Sequence, residues 1–183
     1  LNYKQKPFIG IVLIPEKDEL WFSDGTKGWG EKRDGSLIKP KLSKRKSLQD
    51  MTLVTSKNHN NETLKKLIQK INFNEVIIMG SIGCKITSIV RGESDLYICL
   101  SLPGKSSPKD WDFSAPESIL KASGGAITNL ENEELTYGKP NFEQLVTYMS
   151  DAVMRNLKVM DHSHTKRLVS KETILKEFVT YMI

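Results

Sequence analysis

The chain has 183 residues, 38% hydrophobic and 27% charged: enough apolar material for a packed core, and no bias toward a disordered, collagen-like, coiled-coil or disulfide-scaffold chain. Lys and Arg number 27 against 22 Asp and Glu, a net charge of +5, and Lys39, Lys41, Lys44, Arg45 and Lys46 place five positive charges within eight residues. The excess is therefore one stretch, which Pro40, Ser43 and Ser47 mark as a solvated connection. Basic residues that read nucleic acid are spread along a helix or sheet with aromatics among them, so no nucleic-acid partner is expected. Two cysteines, Cys84 and Cys99, without metal-type pairing suit a reducing, cytoplasmic setting. No apolar run nears the ~20 residues that span a bilayer and Leu1 to Lys6 is no signal peptide, so a soluble protein without a membrane span is expected. The chain opens on Leu1 and enters a strand pattern at once, which reads as a sequence whose start lies upstream.

Phe8 to Ile14, closed by Pro15, and Glu19 to Ser23 read as a hairpin, with Gly28 to Lys32 as a third strand ended by the Arg33-Asp34-Gly35-Ser36 turn. From Met51 strands alternate with helices. Met51 to Thr55 is a strand, and Asn61 to Ile71 carries Leu64, Leu67, Ile68 and Ile71 at helical spacing, with Asn60 or Asn61 as N-cap. Glu75 to Met79 reads as a buried strand running into Gly80-Ser81-Ile82-Gly83, followed by a short helix to about Arg91. Asp95 to Ser101 is a strand, and Asp112 opens a helix with Pro116 in its first turn and a Gly124-Gly125 stop. Ala126 to Asn129 and Glu134 to Tyr137 form a last hairpin. Phe142, Leu145, Val146, Met149, Val153 and Leu157 lie on one helical stripe, and Ile174 to Met182 on another, so the chain is expected to end in two amphipathic helices.

The most informative stretch is Trp111-Asp112-Phe113-Ser114-Ala115-Pro116-Glu117 with Gly124-Gly125 beyond it. A carboxylate at the mouth of a helix, after a strand and a loop, sits where α/β sheets bind ligands, although a lone Asp there reads as an N-cap. With Pro7-Phe8-Ile9-Gly10-Ile11-Val12, Ser56-Lys57-Asn58-His59, Gly80-Ser81-Ile82-Gly83-Cys84-Lys85, Gly92 and Asp95-Leu96-Tyr97, the chain resembles the lithium-sensitive, magnesium-dependent phosphatases. These include inositol monophosphatases and 3'(2'),5'-bisphosphate nucleotidases. The resemblance runs from about Pro7 to about Gln144. Lys85 and Ala115-Pro116-Glu117 favour the bisphosphate nucleotidase branch, nearest its bacterial, cyanobacterial-type subgroup.

The resemblance implies a layered α/β/α/β/α sandwich lacking its N-terminal part. Residues 1–47 would complete an N-terminal sheet, 48–144 would form a C-terminal α/β domain, and 145–183 would be a helical tail outside the family pattern. It implies Mg²⁺-dependent removal of the 3'-phosphate from 3'-phosphoadenosine 5'-phosphate to give AMP, in sulfate assimilation, with inhibition by Li⁺. Such chemistry suits clustered Mg²⁺ on carboxylates, which activates water and neutralises phosphoryl oxygens. Asp112 would be a metal ligand that also touches substrate. Gly80, Ser81, Gly83 and Lys85 would line the nucleotide side, small residues letting backbone approach phosphate and Lys85 supplying a point charge. His59 would contact nucleotide or phosphate. Read without the resemblance, Lys85 is equally a solvated surface lysine and His59 a surface histidine in a turn.

Departures matter too. The family's upstream Glu and Asp-Pro-x-Asp-Gly-Thr ligands do not occur. Asp24-Gly25-Thr26 follows a strand without a preceding Asp-Pro and reads as a β-turn, and Lys57 stands where the family has Arg. His162 and His164 form an unsupported His-x-His pair. No catalytic residue is assigned, and the 183 residues alone are expected to be inactive, because one carboxylate cannot assemble a multi-metal site. An inositol-phosphate phosphatase and a non-catalytic nucleotide- or phosphate-binding remnant are the alternatives. The oligomeric state is not legible.

Overall fold

The computed structural model describes residues 1–45, 47–57, 62–100, 107–129, 133–144 and 146–150, with the side chains of Thr63, Leu100 and residues 146–150 excepted. His59, residues 101–106 and residues 151–183, with His162, His164 and the expected second terminal helix, lie outside them.

A two-stranded ribbon, β1 (Asn2–Tyr3) and β2 (Lys6–Pro7), leads into an antiparallel meander of β3 (Gly10–Ile14), β4 (Glu19–Ser23), β5 (Gly28–Lys32) and β6 (Leu37–Ile38), paired in chain order. Alternation puts Trp21 of β4 wholly inside, while Ile11 and Leu13 of β3 stand on the opposite face, 63% and 62% exposed. The Asp24-Gly25-Thr26 segment is the local turn its residues predict. Asp24 Oδ1 accepts from Lys27 N, Thr26 N and Thr26 Oγ1, each at 2.8 Å. The Lys27 and Thr26 amides, foremost, hold this carboxyl down to about 2.

A second sheet has the order β10-β11-β9-β7-β8. Its parallel part is β7 (Thr52–Ser56), flanked by β8 (Glu75–Met79) and β9 (Leu96–Leu100). The crossovers are α1 (Glu62–Ile71) and α2 (Ile82–Val90), and α3 (Asp110–Ala122) follows β9. On one face Leu53, Leu96 and Ile98 pack with Leu64 and Leu67 of α1. On the other, Val54, Tyr97 and Cys99 meet Ile86, Ile89, Phe113, Ile119 and Leu120 of α2 and α3, whose far side covers Ile14 and Trp21 of the meander. The layers are therefore sheet, helix pair, sheet, helix.

Gly10 shows why the helix pair can lie so close to the meander: a Cβ there would overlap the Ala115 carbonyl oxygen and stand 2.8 Å from its Cα. Arg91 clamps the same junction, reaching Glu19 at 3.0 Å and Glu93 at 2.7 Å, while Trp21 Nε1 donates to Glu19 at 2.8 Å.

Five sequence expectations change. The strand Glu75–Met79 is not buried: β8 ends the sheet, and Ile78 is 62% exposed. The Ala126/Glu134 hairpin does not form. Instead β10 (Ala126–Thr128) pairs antiparallel with β11 (Val146–Ser150), which also pairs with β9. Thus 146–150 is strand where a helix from Leu145 was expected. Val146, Thr147 and Tyr148 are β-formers, and the vacant edge of β9 outweighs a helical stripe. Helix α3 begins at Asp110, so Asp112 is its third residue and Pro116 lies in the interior, where it removes the N–H that would serve the Asp112 carbonyl. Finally, the basic stretch is fastened rather than merely solvated. Lys41 N donates to Val90 O at 2.8 Å, and Arg45 pairs at 2.7 Å with Asp95, which is 1% exposed and also accepts from Thr52 N.

Candidate active site

In a parallel sheet the carboxyl ends of the strands are where connections leave for the helices, and ligands bind in the crevice so formed. Here those ends carry Ser56 on β7 and Gly80-Ser81 after β8, with the first turn of α3 nearby. Ser81 is the N-cap of α2, its hydroxyl accepting from Cys84 N at 3.4 Å, so the positive end of a nine-residue helix opens beside it. Gly80 is exposed, with open space where a Cβ would stand. Gly83 differs from expectation in what its smallness serves: a Cβ there would meet Val12 Cγ1 of β3 at 3.0 Å, so it is small for the helix-to-meander packing.

Lys85 is not a solvated lysine. It is 1% exposed, donates from Nζ to Gly80 O at 3.0 Å, and holds Nζ 4.9 Å from the centroid of the Tyr97 ring. Burial, which penalises the charged form, pushes its ammonium down to about 8, and Coulombic interactions with Cys99, Cys84 and Asp112 act the other way. Asp112 therefore lies within electrostatic reach of Lys85. Its Oδ2 accepts from Lys109 N at 2.8 Å, closing the first turn of α3 as a residue three places past the cap does, while the residue itself is exposed. Lys85 and Asp112, singled out in the sequence, come from α2 and α3, and Asp112 is the weakest of the Coulombic influences on Lys85.

Two neighbours, Ser56 and Tyr97, stand in the motifs of the resemblance but receive no role there. Tyr97, buried and with its phenol pushed up by burial, sits 3.0 Å through its hydroxyl from Ser56 Oγ. In sequence both look like ordinary strand residues. The signal available was a polar-tipped ring on the same alternating face of a strand as Cys99, in a run otherwise aliphatic.

Behind this mouth, α3 is pinned by buried polar groups. Asp110 accepts from Gly138 N at 2.6 Å and from Gln144 Nε2 at 2.7 Å. Glu117, fully buried, accepts from Tyr137 Oη and pairs with Lys121 at 2.5 Å; burial pushes its carboxyl up. These contacts account for the Glu of the signature as framework, holding the 133–144 segment against the helix that presents Asp112.

As for metal, a multi-ion site needs several oxygen ligands. Among the described residues no group of three or more His, Cys, Asp or Glu side chains converges, so Asp112 fits as a contributor and not as a site by itself. Among the same residues no helix is long and apolar enough to cross a membrane.

Fold and site together define a layered α/β protein whose parallel strand ends gather Ser56, Gly80, Ser81 and the buried Lys85. Residues 1–165 match the inositol monophosphatase family, and the chain belongs to that family; the match continues past Gln144, where the resemblance had been expected to stop. The chain is 34% identical over 87 residues to 3'(2'),5'-bisphosphate nucleotidase 1 of Mus musculus, covering 48% of this chain and 27% of that protein. It is 29% identical over 131 residues to the 3'(2'),5'-bisphosphate nucleotidase CysQ of Buchnera aphidicola, covering 72% and 46%. It therefore spans less than half the length of either relative. Among solved structures it superimposes on staphylococcal SaIMPase-II with 2'AMP bound at a TM-score of 0.70 and 17% identity, covering 99% of this chain and 61% of that one. CysQ from Bacteroides thetaiotaomicron gives 0.67 at 21% identity, covering 81% and 59%. Likeness at such identity establishes the fold.

Proposed function

We propose that this chain supplies the nucleotide-holding part of a Mg²⁺-dependent phosphatase that removes the 3'-phosphate of 3'-phosphoadenosine 5'-phosphate to leave AMP, in the sulfate assimilation of the cytoplasm. The observation that carries the reading is the buried ammonium of Lys85, held at the strand ends within reach of Asp112 and beside the N-terminus of α2. A buried cation with spare donors suits a phosphate that stays on the product. Ser81 and Gly80 leave room for that phosphate at the helix end, and His59 is assigned to the nucleotide through its motif. Asp112 is the ligand this chain contributes to Mg²⁺, whose chemistry when bound would be to polarise the phosphoryl group and supply activated water. Inhibition by Li⁺ belongs to the same proposal. The curated relatives named bisphosphate nucleotidases support the nucleotide branch. SaIMPase-II has been solved with inositol monophosphate as well as 2'AMP, so the fold leaves the inositol branch to experiment.

Calorimetric titration of the folded chain with AMP, with and without Mg²⁺, tests the reading. Binding that falls at least tenfold in Lys85→Met and loses its Mg²⁺ dependence in Asp112→Asn supports it. No heat with AMP overturns it, and binding of inositol monophosphate in preference to AMP moves the chain to the other branch. Because Asp112 is a lone carboxylate, the 183 residues are expected to release no phosphate from either substrate; robust Mg²⁺-dependent turnover would overturn that expectation.

A further inference from the structure

A lysine side chain carries four rotatable bonds, and ordering it for a ligand costs rotamer freedom. Lys85 is already buried and held at two points. Its ammonium has three donors, and among the described residues one of them has a protein acceptor, the Gly80 carbonyl at 3.0 Å. The other favourable contact is the face of the Tyr97 ring, 4.9 Å from Nζ to centroid. That ring is itself held: Tyr97 is 1% exposed, packed in the core between the second sheet and the helix pair, and its hydroxyl stands 3.0 Å from Ser56 Oγ, a residue 5% exposed at the end of the neighbouring strand. Register puts Val54 of β7 opposite Tyr97, and Ser56, two residues on, returns to the same face. The hydroxyl pair thus joins two adjacent strands exactly where the lysine is parked.

We propose that Tyr97 is the positioning residue of the phosphate contact: its ring, fixed through Ser56, holds the Lys85 ammonium at the strand ends with donors unspent, so that a phosphate oxygen completes its hydrogen bonding without first ordering the side chain. The proposal rests on the reading of Lys85 as an anion contact. Tyr97 touches no phosphate in this arrangement and acts only through Lys85.

The test uses the whole chain, with AMP as probe, and two readouts. The first is the upfield ring-current shift of the Lys85 protons nearest Nζ, which reports whether the ammonium is still held 4.9 Å from the Tyr97 centroid; a change in packing elsewhere leaves that shift in place. The second is AMP affinity. Tyr97→Phe keeps the ring beside Lys85 but removes the hydroxyl that Ser56 holds, so it is expected to diminish the shift and weaken AMP about threefold, as Ser56→Ala does. Tyr97→Leu is expected to lose the shift and on the order of tenfold in affinity, the scale of a desolvated cation–ring contact. Should that variant fail to fold, Ser56→Ala, which keeps the ring but frees its anchor, is expected to diminish the shift and weaken AMP about threefold. Absence of the shift in wild type, or full AMP affinity in folded Tyr97→Leu or Ser56→Ala, overturns the proposal. Lys85→Met separates the two readings: unchanged AMP affinity there defeats the anion role of Lys85, whereas weakened affinity there with an indifferent Tyr97→Leu defeats the positioning role alone.

Discussion

Replacing Lys85 by methionine should make the protein more stable at neutral pH. The side chain is 1% exposed and its ammonium is pushed down from 10.5 to about 8, so the unfolded chain binds the proton more tightly than the folded one. The folded pKa being the lower, the charged form is penalised in the native state. The penalty is present in full below pH 8 and is relieved as pH rises from about 8 to 10.5, where the unfolded state retains the proton and the native state does not. A shift of that size corresponds to about 3 kcal/mol at most. The Gly80 hydrogen bond and the Tyr97 contact are lost in the variant, and methionine fills most of the volume, which leaves a net gain of about 1 to 2 kcal/mol at pH 7. Urea unfolding of both proteins at pH 7, 8, 9 and 10 reads the difference. Every other group is the same in both proteins, so its contribution cancels in the difference. The gain should shrink steadily toward pH 10. A variant that is less stable at pH 7, with a stability difference that does not change with pH, would refute the account of Lys85 as a buried charge.

Three other outcomes follow from the framework. Gly10→Ala forces a methyl into the Ala115 backbone and should cost about 2 kcal/mol by denaturant titration, whereas a cost near zero would show that the helix pair can slide on the meander. Asp95→Ala strips the Thr52 amide of a buried acceptor and releases Arg45, so a loss of about 2 kcal/mol is expected, together with faster proteolysis near Arg45; an unaltered cleavage pattern would argue against the tether. Burial raises the Glu117 carboxyl, so the native state there binds protons more tightly than the unfolded one. Wild-type stability from this group is full below the usual carboxylate pKa and is lost as pH rises through the raised value. Glu117→Gln should remove that slope, and identical pH profiles from 4 to 7 would contradict it.

What sequence could show was what neighbours in sequence decide. The β5 and β8 boundaries follow from turn residues and β-branched runs on either side, and the Asp24 turn is closed by its own next three residues. Whatever depends on sheet order was hidden. Val-Ile-Ile in β8 looks interior until the strand proves to be the last in its sheet. In 146–150 one pattern satisfies a helical stripe and a strand alternation alike, and only the free edge of β9 chooses. The site divides the same way. Lys85 and Asp112 are singled out by motifs whose residues lie close in sequence, but the burial of Lys85 depends on a ring twelve residues further on, in another element. Pro116 was placed too early because the cap was read at Asp112, two residues inside the helix that Asp110 begins.

The first strand of the meander has a consequence for handling the protein. Among the described residues β3 pairs on one side only, with β4, and its outer face carries Ile11 and Leu13 bare to water. An open row of backbone donors and acceptors beside an oily surface is adhesive in two ways at once, and no lysine or proline within the strand blunts it. Concentrated solutions of these 183 residues should therefore scatter light increasingly and brighten hydrophobic dyes while every helix and strand remains intact. Such turbidity would come from the folded surface and would not be a sign of unfolding.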